Sequence, residues 1–286
     1  MFSRSPLVFT VLGLTIVSII LLLIRDFQQP AETAFLNSQA LYAEVSTGVN
    51  EAFPNIPPST EKAGVPIVVY HIVRPSYPSD DRQVKALAQT PEVFDAQMKY
   101  LADAGYNVIS FQALENYFKI GTPLPTKPII ISFDDGWGDQ FEYAFPILKK
   151  YHYAAIFFVF TNPIGTHGFL TWDNLRTLRD AGMTIGSHTR SHPYLTKIVN
   201  PTTLWNEIYE SKKVLEKNLG VTIDEFAYPF GKYNATTTAM VKKAGYTSAR
   251  GDYYYGTDQS KNRLYELSAL NAPTTLAEFT QKFPAN

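Results

Sequence analysis

The stretch PIIISFDDGWGDQ, residues 128–140, carries the clearest structural pattern in the chain. A run of strand-forming residues ends in Phe133, and two adjacent acids, Asp134 and Asp135, follow before a glycine. The next residues, QFEYAFPILKKYH, have the pattern of a helix. A buried strand that leads through a polar turn into a helix is the repeating unit of parallel α/β proteins.

The same alternation extends in both directions from this stretch, from about residue 65 to the C-terminus. Strand patterns occur in VPIVVYH, NVIS, KPIIISF, AAIFFVF, MTIGSH, EFAYPFG and YTSA, and helical patterns separate them. We expect Thr171 to cap one of these helices and Gly220 to end another. About seven strand–helix repeats over roughly 220 residues favour a (β/α) barrel over one small doubly wound sheet.

Polar residues follow several of these strands at the point where each strand ends. His71 closes one strand, Asp134 and Asp135 the next, and His188 another, whereas residues 228–231 follow EFAYPFG. In a parallel barrel the carboxyl ends of the strands lie at one face, where the chemistry of such folds is found. We therefore predict a polar site that combines these strand ends.

The segment SHTRSHPYL, residues 187–195, adds a metal-binding pattern. His188 and His192 are four residues apart, so on one helical turn they would share a face and could bind one metal ion. The chain has no cysteine, so a metal must be held by His, Asp or Glu. Two His and one Asp suit Zn²⁺ and leave Co²⁺, Ni²⁺, Fe²⁺ and Mn²⁺ as alternatives. A cation would also relieve repulsion between Asp134 and Asp135, one of which could bind it while the other acts as a base.

Three segments resemble the first three motifs of the polysaccharide deacetylase family, also called the NodB-homology domain or carbohydrate esterase family 4. They are SFDDG, SHTRSHPYL and FAYPFGKYN, and the resemblance extends from about residue 65 to the C-terminus. The connecting stretches look like the branch that deacetylates poly-β-1,6-N-acetylglucosamine and similar exopolysaccharides. The resemblance implies a distorted (β/α) barrel and metal-dependent removal of N- or O-acetyl groups from sugars.

Matched by motif, the family implies a role for each residue of the predicted metal site. Asp134 would be the general base, and Asp135, His188 and His192 would be the metal ligands. This agrees with general chemistry, because a divalent ion polarises a carbonyl group and lowers the pKa of a water molecule. Asp134 would then accept the proton of that water.

The third motif implies the contacts to the reacting carbonyl and to the substrate. The backbone N–H of Phe230 would stabilise the developing oxyanion. Pro229 stiffens the turn and Gly231 allows close approach of backbone and substrate. Tyr228 and, from a neighbouring segment, Trp172 are further candidates for substrate contact, although packing in the core is an alternative for Trp172.

The chain departs from the family pattern at the residue that orients the base. Many members carry an Arg in the third motif, whereas this chain has Ala227. Arg250 or Arg263 is a candidate substitute. Because both are distant in sequence from the motif, the sequence leaves the choice between them open.

A second departure concerns the proton for the leaving group, which many members take from a late His. No His follows His192, and LYELSALNAP, residues 264–273, offers only Asn271 in that place. His71 is our candidate for a supporting role, with a satisfied core histidine as the alternative.

These departures also motivate a second hypothesis, a catalytically impaired glycan-binding protein on the same fold. A third is a metal-dependent hydrolase of another amide or ester.

The first 64 residues have a different character. Residues 5–24 are free of charge and would span about 30 Å as a helix, the thickness of the bilayer's hydrocarbon core. We predict an anchor in residues 1–25, an extracytoplasmic linker in residues 26–64 and the catalytic domain in residues 65–286. Arg4 favours a cytoplasmic N-terminus and places the domain in the periplasm or at the cell surface. A cleaved signal peptide, and hence secretion, is one alternative, and a buried helix of a soluble protein is another.

Net charge and aromatic content bear on the partners. The net charge of −1 and the lack of a basic run give no indication of nucleic-acid binding. The predicted partners are an acetylated polysaccharide and, through the anchor, a membrane. Tyr253, Tyr254 and Tyr255 could line a glycan groove, with ordinary packing as the alternative. The sequence leaves the identity of the polymer open.

Overall fold

The computed structural model describes residues 61–251 and 256–285. The predicted anchor, the linker up to residue 60 and the three tyrosines Tyr253, Tyr254 and Tyr255 lie outside the described residues. Within the described ranges, the helices are all too short or too polar to cross a bilayer.

The strands are short and are numbered here in chain order. They are β1 (Lys62–Gly64), β2 (Ile67–Tyr70), β3 (Ile72–Val73), β4 (Ala88–Gln89), β5 (Asn107–Val108), β6 (Pro128–Phe133), β7 (Ile156–Val159), β8 (Thr184–Ser187), β9 (Glu225–Ala227), β10 (Ser248–Arg250), β11 (Asp258–Ser260) and β12 (Leu270–Asn271). The α-helices are α1 (Arg82–Leu87), α2 (Pro91–Asp103), α3 (Phe111–Ile120), α4 (Phe145–Lys150), α5 (Trp172–Asp180), α6 (Pro201–Trp205), α7 (Ser211–Leu219), α8 (Ala235–Lys243) and α9 (Leu276–Lys282).

Eight of the strands form one parallel sheet, which confirms the predicted α/β class. Their order is β10-β9-β8-β7-β6-β2-β12, and β5 pairs with the beginning of β6. The sheet curls but does not form a complete barrel. Among the described strands, no ladder joins β10 to β12; instead Leu267 forms a single bridge with Arg250 and accepts a hydrogen bond from Gly251.

Two small sheets lie outside the predicted pattern. β1 pairs antiparallel with β11, and β3 pairs with β4. These strands have two or three residues each, too few to show a period of two in the sequence. β1 begins at Lys62, within the last residues that the sequence assigns to the linker.

The helix ends follow the predicted local signals. Thr171 caps α5 in a reciprocal capping box with Asn174. α7 ends at Gly220, which has the left-handed conformation that glycine adopts without strain. π-helical turns, Gln140–Ala144 and Asn206–Glu210, are continuous with α4 and with α6 and α7. Pro146, which has no N–H to donate, is the second residue of α4 and lies at the junction with the first of these π-helical turns.

The central strands are buried on both faces, as expected for a parallel sheet covered by helices. In β6, Ile131 and Phe133 pack in one hydrophobic cluster, and Ile130 packs in another with Phe158 of β7. Phe133 and Phe157 stack with ring centroids 4.7 Å apart. This packing fixes the ends of β6 and β7 relative to each other, and with them the residues that follow β6.

Candidate active site

The carboxyl ends of the parallel strands surround one cavity of about 330 Å³. It is lined by Val69, His71, Gln83, Leu87, Asp134, Asp135, His188, His192, Phe230, Gly231, Arg250, Gly251, Ala269 and Asn271. The predicted convergence of strand ends is therefore what the structure shows. The lining residues come from segments as distant in sequence as Val69 and Asn271, and the fold alone brings them together.

Asp135, His188 and His192 bring their donor atoms together at the cavity. Oδ1 of Asp135 lies 3.6 Å from Nε2 of His188 and 3.4 Å from Nε2 of His192. The two Nε2 atoms are 3.1 Å apart. Ligands about 2.1 Å from a tetrahedral Zn²⁺ lie about 3.4 Å from one another, so these separations match the spacing of ligands around one ion.

The two histidines do not share a helical turn, so that part of the sequence argument is wrong. His188 follows β8 directly, and His192 lies in an irregular loop. Thr189 and His192 have φ angles of 75° and 60°, which reverse the chain and return the second imidazole to the first. The loop is held by Glu207, whose carboxylate accepts hydrogen bonds from the backbone N–H groups of Arg190 and Ser191 at 3.1 and 2.9 Å.

Hydrogen bonds orient each of the donor groups. Nδ1 of His188 lies 2.7 Å from the carbonyl oxygen of Ala227, which can only accept, so Nδ1 carries the proton and Nε2 has a free lone pair. Trp137 donates its indole N–H to Oδ2 of Asp135 at 3.1 Å, which leaves Oδ1 directed at the histidines. Burial lowers the pKa of His188 to about 3, and burial also lowers the pKa of His192. Neutral imidazoles and a carboxylate are the protonation states that a divalent metal requires, so the residues fit the ion.

Asp134 is buried beside this set and is paired with Arg250. The guanidinium of Arg250, only 3% exposed, forms an ion pair with Oδ1 of Asp134. Arg250 lies directly opposite Ala227 in the β9–β10 ladder. The neighbouring strand thus supplies the guanidinium that Ala227 lacks. Arg263, the other candidate, pairs with Glu266 at 3.8 Å.

His71 faces the second oxygen of the same carboxylate. Its Nε2 lies 3.9 Å from Oδ2 of Asp134. Burial lowers the pKa of His71 to about 4, so the imidazole is neutral near pH 7. The structure places His71 at the cavity, close to the carboxylate that the family resemblance predicts to be the base, and its supporting role stays a prediction.

Backbone strain is concentrated at this site. Six non-glycine residues in the described ranges have positive φ, and four of them belong to the site: Asp135, Thr189, His192 and Phe230. Such conformations cost free energy and persist where the surrounding structure holds them, often at functional positions. Gly136 is required for a related reason, because a Cβ atom there would lie 2.9 Å from Cγ1 of Val159.

The residues of the third motif divide between the cavity and the core. Phe230 and Gly231 line the cavity, and Phe230 is 44% exposed with its ring stacked on Tyr194 at 3.8 Å between centroids. The Gly231 and Lys232 amides donate to the carbonyls of Tyr228 and Pro229, whereas the Phe230 amide has no partner among the described residues.

Three of the residues predicted to contact the substrate, Tyr228, Pro229 and Trp172, do not line the cavity. Tyr228 is fully buried and its hydroxyl donates to the carbonyl of Tyr265 at 3.1 Å, so its ring serves the core. Trp172 is the first residue of α5 and packs against the main hydrophobic core, the alternative noted from the sequence. Pro229 is buried and shapes the turn that presents Phe230.

The sequence argument missed three contacts of the site. Trp137 orients Asp135, and Tyr194 stacks on Phe230. The third is made by Gln140, whose side chain bonds to the backbone at two strand ends. Trp137 and Gln140 lie in the stretch of residues 128–140 and Tyr194 lies in SHTRSHPYL, and their proximity to the acids and histidines was the signal that could have identified them.

The sequence matches known proteins over the same region. The sequence profile of the polysaccharide deacetylases matches residues 121–249. A putative polysaccharide deacetylase of Bacillus subtilis, YxkH, is 30% identical over 188 residues, which are 65% of this chain and 64% of that protein. The poly-β-1,6-N-acetyl-D-glucosamine N-deacetylase of Staphylococcus aureus is 27% identical over 180 residues, 58% of this chain and 62% of that protein. The chain thus spans less than two thirds of the length of each relative.

Solved structures resemble the fold over most of the described region. A deacetylase of Streptococcus pyogenes, PplD, in complex with acetate, superposes with a TM-score of 0.70 at 26% identity and covers 77% of this chain and 97% of that one. A polysaccharide deacetylase from Bacillus cereus superposes with a TM-score of 0.66 at 27% identity and covers 77% of this chain and 68% of that one.

Proposed function

Because the chain belongs to the polysaccharide deacetylase family, we propose that it is a metal-dependent hydrolase that removes acetyl groups from an N-acetylated polysaccharide. One observation carries the proposal: Asp135, His188 and His192 converge on one point of the cavity, and Asp134, paired with Arg250, lies beside them. This arrangement separates a metal-binding carboxylate from a carboxylate that can accept a proton.

The residues fit one divalent ion, most simply Zn²⁺, held by Oδ1 of Asp135 and by Nε2 of His188 and His192. Such an ion, when bound, polarises the acetyl carbonyl and makes a water molecule more acidic. The hydrogen bonds from Trp137 to Asp135 and from His188 to the Ala227 carbonyl hold the ligands in their binding orientation before the ion arrives.

Asp134 is the general base in this proposal. The ion pair with Arg250 fixes one of its oxygens, so the other, Oδ2, is directed toward His188 and His71 at 3.9 Å. Oδ2 can take the proton from the attacking water. In this proposal the proton that Asp134 takes from the water passes to the neutral imidazole of His71, which can accept it, and from there to the nitrogen that leaves as the acetamide C–N bond breaks.

The substrate would enter past Phe230. The Phe230 amide would donate to the carbonyl oxygen as negative charge develops there. The rings of Phe230 and Tyr194, which are 44% and 42% exposed, would contact the apolar face of a pyranose ring. The related enzyme of Staphylococcus aureus is named for poly-β-1,6-N-acetyl-D-glucosamine, and we propose the same class of polymer here. O-acetyl groups on such a polymer are a second target of the same chemistry in this proposal.

We also propose that the domain works outside the cytoplasmic membrane, in the periplasm or at the cell surface. The support is the uncharged segment of residues 5–24, long enough to anchor the chain. Protease treatment of intact cells or spheroplasts tests this, since an extracytoplasmic domain is digested while a cytoplasmic control protein is protected. Survival of the domain under those conditions would contradict the proposal.

The test of activity is acetate release by the full-length chain. We would strip the protein of metal, reload it with Zn²⁺ or Co²⁺, and offer poly-N-acetylglucosamine, peptidoglycan, chitin oligomers and acetylated xylan. We expect acetate only with metal, and loss of both metal binding and acetate release in Asp135→Ala. Asp95→Ala, which removes a surface partner of Lys150, is the matched control. Metal binding without acetate from any substrate would contradict the proposed activity.

The sequence also raised a catalytically impaired glycan-binding protein as an alternative. That hypothesis rested on the missing Arg of the third motif and on the missing late His. Arg250 occupies the place of the first on the neighbouring strand, and His71 provides an imidazole at the base. The geometry therefore favours the hydrolase.

A further inference from the structure

The ladder between β2 and β6 ends at the site, and its last backbone hydrogen bond runs from the Asp134 amide to the Tyr70 carbonyl at 2.9 Å. Beyond this bond the strands continue into His71 on one side and Asp134 on the other. The carbonyl groups of these two residues both need a donor, and neither can serve the other. A buried carbonyl without a donor is costly, so some third group has to satisfy both.

That third group is the side chain of Gln140. It is fully buried, and its Nε2 donates to the carbonyl oxygens of His71 at 2.8 Å and of Asp134 at 2.5 Å. A carboxamide nitrogen has two hydrogens, so one side chain can bridge the two strand ends. Its Oε1 is buried without a hydrogen-bond partner within the described residues. Gln140 therefore keeps an unsatisfied acceptor as a consequence of bridging two carbonyl groups.

We propose that Gln140 is a positioning residue that sets the distance between His71 and Asp134. This inference rests on the proposed function, because it assigns a role in the reaction to a residue outside the substrate cavity. The backbone carbonyls of His71 and Asp134 both accept a hydrogen bond from Nε2 of Gln140. This shared donor fixes the two backbone segments relative to each other, and with them the two side chains. The result is the 3.9 Å separation between Nε2 of His71 and Oδ2 of Asp134.

The position of Gln140 along the chain supports this role. It is the first residue of the π-helical turn Gln140–Ala144, and π-helical turns are frequent at functional sites. The preceding residue, Asp139, accepts a hydrogen bond from the Val73 amide at 3.3 Å. Two consecutive side chains, those of Gln140 and Asp139, thus hold the chain at His71 and at Val73, two residues later.

The chain contains a matched control in Gln259. Its Nε2 also bridges two backbone carbonyls, those of Val65 and Ser268, both at 2.9 Å, and it is also buried. Val65 precedes β2, so this second bridge stands at the opposite end of the strand. The two glutamines make the same kind of contact, and one of them is near the proposed chemistry.

The experiment compares Gln140→Met with Gln259→Met in the full-length, metal-loaded protein. Met keeps the length of the side chain and removes both donors. We expect kcat to fall by about tenfold to a hundredfold in Gln140→Met while KM and the Co²⁺ absorption spectrum stay unchanged, because the reacting groups are displaced and the ligands are not. We expect Gln259→Met to keep the wild-type kcat, although its melting temperature falls.

Gln140→Glu tests whether shape or hydrogen donation matters, because it has the same shape and faces two carbonyls with oxygen atoms. It should lose at least as much activity as Gln140→Met. Wild-type kcat in either Gln140 variant, or an equal loss in Gln259→Met, would overturn the inference.

A failure of the proposed function would give a different result from a failure of this inference. If the wild-type protein released no acetate, crystal structures of the two Met variants would still test the inference. The separation between His71 and Asp134 should change in Gln140→Met and remain in Gln259→Met. An unchanged separation in both would refute the positioning role without reference to activity.

Discussion

The two ends of the parallel sheet both bury charged groups, but they use them differently. At the amino ends of β9 and β10, Glu115 is only 1% exposed, pairs with Lys119 and accepts a hydrogen bond from Thr247 at 2.7 Å. Both carboxylate oxygens of Glu115 therefore already have partners within the protein. At the carboxyl ends, Asp135 and His192 direct donor atoms at one point of an open cavity. Convergence on a cavity, rather than burial, distinguishes the candidate active site.

Shifted pKa values alone do not distinguish the amino end of the sheet from the carboxyl end. Burial raises the pKa of Glu225, at the amino end, to about 7, and burial lowers the pKa of His71, at the carboxyl end, to about 4. Shifted pKa values occur at structural positions as well as at functional ones. The comparison therefore predicts that substitutions at the carboxyl end change the reaction, whereas those at the amino end change stability.

The largest effect is expected from Asp134→Asn. Asn keeps the size of the side chain but cannot accept the proton of the attacking water, so kcat should fall by about 10³- to 10⁴-fold. Metal binding should persist, because Asp135, His188 and His192 are intact. Acetate release and metal content, measured on the same preparation, check both parts.

The matched control for this variant is Asp95→Asn, which alters an exposed ion pair with Lys150. It should keep the wild-type rate. A wild-type rate in Asp134→Asn would show that Asp134 is not the base and would contradict the prediction that substitutions at the carboxyl end change the reaction.

Much of the fold could be predicted because its signals are local. Alternating strand and helix patterns, the Thr171 cap and the Gly220 stop each depend on a few neighbouring residues, and the structure places them as expected. The pairing of β1 with β11 could not be predicted in this way. It joins two three-residue strands almost 200 residues apart, and nothing in either strand specifies the partner.

The same limit applies to the site. Asp134, Asp135, His188 and His192 lie in short motifs and were identified from them. Arg250 contacts Asp134 across 116 residues of sequence, so the sequence could offer it only as one of two candidates. The prediction that His188 and His192 share a helical turn was wrong because Thr189 has a positive φ, which the spacing of the two histidines does not reveal.

The second largest effect is expected at the amino end, from Glu225→Gln. The folded protein holds the Glu225 proton up to a pH of about 7, whereas the unfolded chain releases it near pH 4.5. The native state therefore binds more protons between these values, and the free energy of unfolding falls as the pH rises through this window. The shift of the Glu225 pKa corresponds to a fall of about 3 kcal/mol in the free energy of unfolding across this window. Gln has no proton to release, so the variant should not show this fall.

Denaturant unfolding of both proteins between pH 4 and pH 8 measures this difference. Glu61→Gln, at an exposed position, should reproduce the wild-type curve. The rate of acetate release at a fixed pH should be the same in all three proteins. Parallel stability curves for the wild type and Glu225→Gln would show that Glu225 does not titrate as proposed.

A smaller effect is expected at the carboxyl end from Arg250→Lys. Lys keeps the positive charge but has no planar fork to hold Oδ1 of Asp134, and the buried side chain has little room to adjust. We expect kcat to fall about tenfold with unchanged metal content. Arg263→Lys, which changes the partner of Glu266, should retain the wild-type kcat. An equal loss in both variants would assign Arg250 a general structural role.

The smallest effect is expected from Thr247→Val at the amino end. Val keeps the shape of Thr and removes the hydroxyl that donates to Glu115 at 2.7 Å. The buried carboxylate keeps its pairing with Lys119 but loses one donor, so the free energy of unfolding should fall by about 1 kcal/mol. Thr280→Val removes a hydroxyl that donates an exposed hydrogen bond to the carbonyl of Ala277 in the same helix, and it should change the free energy of unfolding by less than about 0.5 kcal/mol. The rate of acetate release should not change in either variant, because neither hydroxyl is connected to the cavity. A lower rate in Thr247→Val would mean that the two ends of the sheet are coupled through β10, which carries Arg250 at its other end.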